Sequence, residues 1–184
     1  MKQAFIFVAA GFEEVELITP LDYLRRCNVP TQLVAVGTRQ VQSSRGVLIT
    51  CDAVLEQVID QAEQAALVVL PGGIPNSTTL GSSEKLRRFV ITAAQHGSII
   101  AAICAAPVCT LGAWGMLEGK RYACYPGMGG ELSTPPVKNM RVVQDGNIIT
   151  ACAAGAAEEF AFSLVHALCG AEQVQQLKHS IAAR

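Results

Sequence analysis

The sequence predicts an α/β domain: a mostly parallel sheet with helices on both faces. Two observations carry that expectation. Short apolar runs bounded by turn residues recur at 4–9, 32–36, 66–70, 98–102 and 147–151, each the length of a buried strand. Helical spacings fall between most of them, and strands that alternate with helices pair in parallel because the crossover itself needs a helix. One domain is expected over residues 1–184, a length that can bury a full core without staples.

Taken in order, the first run follows Lys2 and faintly imitates a secretion signal. It is short, lacks a Leu-rich centre and runs into Glu13-Glu14-Val15-Glu16, so it reads as the first strand. In the next segment Val15, Ile18, Leu21 and Leu24 predict the inward stripe of a helix, with Glu16 beside it. No Ser, Thr or Asp precedes the acidic cluster, whereas Thr19-Pro20-Leu21-Asp22 resembles a cap with Pro at the first helical position. The helix is therefore expected to begin or bend at Pro20. Residues 41–50, with Arg45-Gly46 central, read as a small hairpin added to the main sheet.

Further along, Leu86, Phe89, Val90 and Ala93 repeat at helical spacing between Ser82-Ser83 and Gly97. Phe160, Leu164, Val165 and Leu168 do the same before Gly170. Residues 142–149 read as a second hairpin turning at Asp145-Gly146. Residues 127–138 are rich in Gly and Pro, have no periodicity and are expected as a surface loop near the site.

Composition narrows the function. Hydrophobic residues make up 51% of the chain with few aromatics, and no apolar run approaches the length of a membrane-spanning helix. Net charge is −1 with no Lys/Arg block, so nothing favours a nucleic-acid face or an electrostatic membrane anchor. Seven cysteines without CxxC spacing suggest reduced thiols in the cytoplasm rather than a disulfide or zinc framework.

The informative cysteine is Cys104. It ends the run Ser98-Ile99-Ile100-Ala101-Ala102-Ile103 and precedes Ala105-Ala106-Pro107, where a helix is expected to start. A strand that turns at once into a helix presents the turn residue at the carboxyl edge of the sheet, where ligands of such folds bind. Helix-terminal amides there should make the thiol ionise more readily. The competing reading is a small buried thiol, since free Cys is among the most buried residue types. Two further loops should converge on it: residues 11–16, and Pro71-Gly72-Gly73, whose Gly73 amide would pair with that of Ala105 as an oxyanion hole. Glu16, held against apolar neighbours, should be pushed towards its neutral form and donate to a thiolate or sulfinate. Its alternative is an ordinary helix-start charge.

The strings FVAAGFEEVE, VVLPGG and AAICAAP, in that order and spacing, resemble the ThiJ/PfpI family, which includes the Parkinson's-disease-associated deglycase/chaperone and its bacterial relatives. The resemblance runs from about Lys2 to Leu177. It implies a flavodoxin-like three-layer sandwich, usually a homodimer, with Cys104 as oxidisable nucleophile, Glu16 as its protonated partner and Gly73 and Ala105 as oxyanion amides. Arg26 and Arg45 match basic residues near the site in relatives. Many relatives carry His where this chain has Tyr125, and Arg-Gly-Pro-Gly where it has Cys152-Ala153-Ala154-Gly155. None of His96, His166 and His179 is expected on a carboxyl-edge loop. Cys124 is either a buried structural cysteine or a resolving thiol.

The resemblance implies cysteine-dependent chemistry on glyoxal, methylglyoxal or their early adducts on protein side chains. Such chemistry requires no metal or organic cofactor. A redox-sensing chaperone with Cys104 as sulfinate is the alternative. An amidase or peptidase is disfavoured by Tyr125.

Overall fold

The computed structural model describes residues 2–183. Nine strands and six α-helices follow one another as β1 (Gln3–Val8), α1 (Glu14–Arg26), β2 (Thr31–Ala35), β3 (Gln40–Gln42), β4 (Leu48–Thr50), β5 (Ala53–Val54), α2 (Leu55–Val58), β6 (Ala65–Leu70), α3 (Asn76–Ser82), α4 (Glu84–Gln95), β7 (Ile99–Ile103), β8 (Val142–Asp145), β9 (Ile148–Ala151), α5 (Ala157–Cys169) and α6 (Ala171–Ser180). The main sheet has seven strands in the order β5-β2-β1-β6-β7-β9-β8, all parallel except β8. This is the flavodoxin-like arrangement: strand order reverses between β1 and β6, the point beyond which folds of this kind bind their ligands.

Strand alternation splits the core into two layers. Ala4, Ile6 and Val8 of β1, Leu67 and Val69 of β6, and Ala101 and Ile103 of β7 pack with Leu17, Leu21 and Leu24 of α1 and Phe160 and Leu164 of α5. Their neighbours Phe5, Phe7, Val68, Leu70, Ile100 and Ala102 face the other way, onto Phe89 and Val90 of α4. The Phe89 ring stands edge-on to Phe5 and Phe7 at 5.2 and 5.0 Å. Two-sided burial explains why these strands read as continuous apolar runs instead of alternating ones.

Several expectations are corrected. Helix α1 starts at Glu14 and runs through Pro20. Its cap is Glu13, whose Oε2 accepts the Glu16 N–H at 2.8 Å. Its buried face is Glu16, Leu17, Pro20, Leu21 and Leu24, while Val15 and Ile18 are exposed. The β3–β4 hairpin forms its own two-stranded sheet. It rides on the β1–α1 loop through Gly11 N–H to Gln42 O and Ser44 N–H to Phe12 O, both 2.8 Å. In the β8–β9 hairpin Asp145 pairs with Ile148, so the turn is Gly146-Asn147, with Gly146 at φ 60°. Ser83 caps α4 and Gly170 ends α5, as the sequence suggests. No helix of the described residues is long and apolar enough to cross a membrane.

Candidate active site

Cys104 follows the last residue of β7 and adopts φ 66°, a left-handed conformation that costs an ordinary residue energy. The surroundings impose it. Its N–H is held by Ala151 O at 2.9 Å and its carbonyl by Tyr125 N–H at 2.7 Å. The chain then turns through Ala105 and Ala106 into a six-residue π-helix, Pro107–Gly112, so the expected helix is present but short and wide.

The thiol is half-buried, and its pKa is pushed up to about 12, first by burial, then by the Glu16 carboxylate. Amides of Ala105 and Gly73 pull the other way, the two groups the sequence singles out as an oxyanion pair. The expectation of a readily ionised thiol is therefore overturned. Desolvation and an acidic neighbour outweigh two amide dipoles.

Glu16 is fully buried, although charged side chains are rarely so without a partner. Gly72 N–H donates to its Oε2 at 3.0 Å, and its Oε1 lacks a conventional hydrogen-bond partner. Its pKa is raised to about 7, chiefly by burial. The Cys104 thiol, the Gly72 amide and the Ala154 amide oppose that rise, and Glu13 adds to it. A carboxyl poised near neutrality can both take and return a proton.

The two side chains meet over Gly72. An ideal Cβ there would lie 2.3 Å from Glu16 Oε2 and 2.6 Å from Cys104 Cβ, so only glycine fits. Asn76, which sequence reasoning missed, fixes this loop. Fully buried, it accepts Ala9 N–H at 2.7 Å and donates to Pro71 O at 2.8 Å and Gly72 O at 3.0 Å. One side chain thus ties the end of β1 to the turn after β6. Nothing local marks it, because its partners lie on two loops that only the fold brings together.

The remaining candidates are placed as follows. Tyr125 is exposed beside Cys104, which it holds by its backbone. Arg45 sits in the β3–β4 turn and reaches α1 through its N–H, which donates to Glu14 Oε1 at 2.9 Å. Arg26 is not at the site: it is the last residue of α1, about 15 Å along the helix axis from Glu16, and pairs with Asp22 at 2.6 Å. Cys124 is buried, its Sγ 3.4 Å from Met128 O, with its pKa pushed up to about 11 by burial. His96 ends α4, and His166 and His179 lie on α5 and α6, so no histidine faces Cys104 from a carboxyl-edge loop. Among the described residues no three His, Cys, Asp or Glu side chains converge as metal ligands.

A model of the DJ-1/PfpI family matches residues 2–167. The chain belongs to this family. It is 37% identical to Protein dj-1beta of Drosophila melanogaster, over 96% of this chain and 94% of that one. The structure of oxidized Toxoplasma gondii DJ-1 superposes with a TM-score of 0.93 at 28% identity, covering 100% of this chain and 99% of that one. A protein of Pyrococcus abyssi named as a deglycase is 28% identical over 80% of this chain and 88% of its own length. In this DJ-1/PfpI protein, then, the elbow cysteine, the buried glutamate and the Gly-Gly turn form one cluster at the strand-order reversal.

Proposed function

We propose that the protein converts reactive dicarbonyls, or their early adducts on protein side chains, through Cys104 and Glu16. One observation carries this reading: a fully buried carboxyl with a pKa near 7 sits against the thiol of a strained strand-to-helix elbow. The thiol is a poor acid, so Glu16 takes its proton as sulfur adds to the aldehyde carbon and hands it to the oxygen of the opened C=O bond, giving a hemithioacetal and a free carboxylate. The Gly73 and Ala105 amides support the oxygen that gains charge. Glu16 then moves the proton from the former aldehyde carbon to the neighbouring carbonyl carbon. The resulting thioester is cleaved by water, which returns the thiol and releases a hydroxy acid. On an early amine adduct, a hemiaminal, the C–S bond forms as the C–N bond breaks, and the amine leaves with the proton Glu16 took from the thiol, giving the same hemithioacetal. The deglycase name of the Pyrococcus abyssi relative supports the substrate class.

The test is methylglyoxal consumption by the protein and by C104S, with D- and L-lactate assayed as products. Lactate that disappears in the variant establishes the activity, and none from either overturns it. The oxidized Toxoplasma gondii relative favours a second reading in which Cys104 is a redox sensor in a stress-protective chaperone. Exposed Val15, Ile18, Val47 and Leu48, on α1 and the adjoining hairpin, suit pairing with a second copy of the chain. Seven free thiols suit the cytoplasm.

A further inference from the structure

Cys104 has two thiol neighbours that this chemistry does not use. Its N–H is held by Ala151 and its carbonyl by Tyr125. The residue after Ala151 is Cys152, and the residue before Tyr125 is Cys124. The same two segments are tied directly to each other, since Ala123 N–H donates to Thr150 Oγ1 at 2.9 Å. Both cysteines line one groove of about 760 Å³, along with Tyr125, Met128, Met140 and Arg141. Cys152 is half-buried there, and Cys124 is 7% exposed.

We propose that Cys124 and Cys152 are a peroxide-oxidisable dithiol whose disulfide clamps the two segments that hold Cys104. The more accessible Cys152 reacts first. Its thiolate attacks a peroxide oxygen, an S–O bond forms, the O–O bond breaks and hydroxide leaves. The Cys124 thiolate then attacks the sulfenic sulfur; the S–S bond forms as the S–O bond breaks. Two thiols and one hydrogen peroxide give one disulfide and two waters, and a small thiol such as glutathione reverses it. Because residues on both sides of the link hold the Cys104 backbone, oxidation of the groove is read at the elbow. Neither step uses the Cys104 thiol, so this proposal and the dicarbonyl reading fail separately.

The experiment treats the intact wild-type protein and C104S with one equivalent of hydrogen peroxide, blocks free thiols and digests with trypsin without reduction. Cys124 lies in the peptide 122–138 and Cys152 in 142–178, which also holds Cys169, so fragmentation must place the link. The expected result is a 122–138/142–178 cross-link at Cys152, lost on reduction, with two thiols per chain disappearing in C104S. Recovery of both peptides separately blocked, or a link from either cysteine to a different one, would overturn the proposal.

Discussion

The side-chain amide of Asn76 donates to the carbonyl of Gly72 at 3.0 Å. The N–H of that same glycine donates to Glu16 at 3.0 Å, so an asparagine outside the Glu16–Cys104 pair sets where the carboxyl sits. Asn76→Ala would leave one backbone N–H and two carbonyls without that partner in a dry site. The expected loss is about 3 kcal/mol of stability, measured by denaturant titration. Asn76→Asp keeps the acceptor for Ala9 but opposes two carbonyls. It should shift the acidic limb of the activity–pH profile, which a purely structural role would leave in place.

Gly72→Ala needs no unusual backbone angle, yet its methyl group would enter the space of Glu16 Oε2 and Cys104 Cβ. Destabilisation of about 1–3 kcal/mol is expected from overpacking. On the proposed mechanism activity should fall further than the stability loss explains, because the methyl group separates the Glu16 carboxyl from Cys104. Thermal unfolding beside methylglyoxal turnover checks both.

Glu16 makes stability depend on pH. Its pKa rises from 4.5 in the unfolded chain to about 7 in the fold, so between those values the unfolded state loses the proton first. Stability from this group is complete below pH 4.5, falls as pH rises to about 7 and is then level. The total is about 3 kcal/mol. Glu16→Gln should flatten that part of the stability–pH curve and be the more stable protein at pH 8; an unchanged slope would remove Glu16 as its source.

The same substitution separates thiol acidity from proton transfer. Removing the Glu16 charge lets the Cys104 pKa fall, so alkylation at fixed neutral pH should quicken about tenfold or more. Dicarbonyl turnover should nevertheless be lost, because no group remains to move the proton. Slower alkylation would show that Glu16 stabilises the thiolate.

Arg26→Ala should change neither turnover nor alkylation. The ion pair with Asp22 is exposed on one helix face and screened by solvent, so its loss should leave the unfolding midpoint nearly unchanged.

Much of this was legible in the sequence. The buried strands announce themselves because apolar residues occupy both faces, and Ser83, Gly97 and Gly170 punctuate helices in the usual way. The elbow is legible because β7 runs into Cys104 without a linker. What failed depended on tertiary context. Glu13 is an uncommon cap, Pro20 tolerates a helical position, and Val15 and Ile18 suggested an inward stripe although the buried face is turned towards Glu16 and Leu17. The acidity of Cys104 is misjudged from sequence because the local amides are visible there while the burial that only the fold creates is not. Asn76 was invisible for the same reason.

The left-handed backbone at Cys104 also bears on how variants should be judged. A residue with a Cβ is disfavoured there, whereas glycine adopts φ 66° freely. The thiol is therefore carried at the expense of the fold, and a C104G chain should melt above the wild-type protein. A screen that ranks variants by thermal shift would reward loss of the Cys104 thiol as improvement, so selection for robustness must be coupled to a readout of the thiol itself.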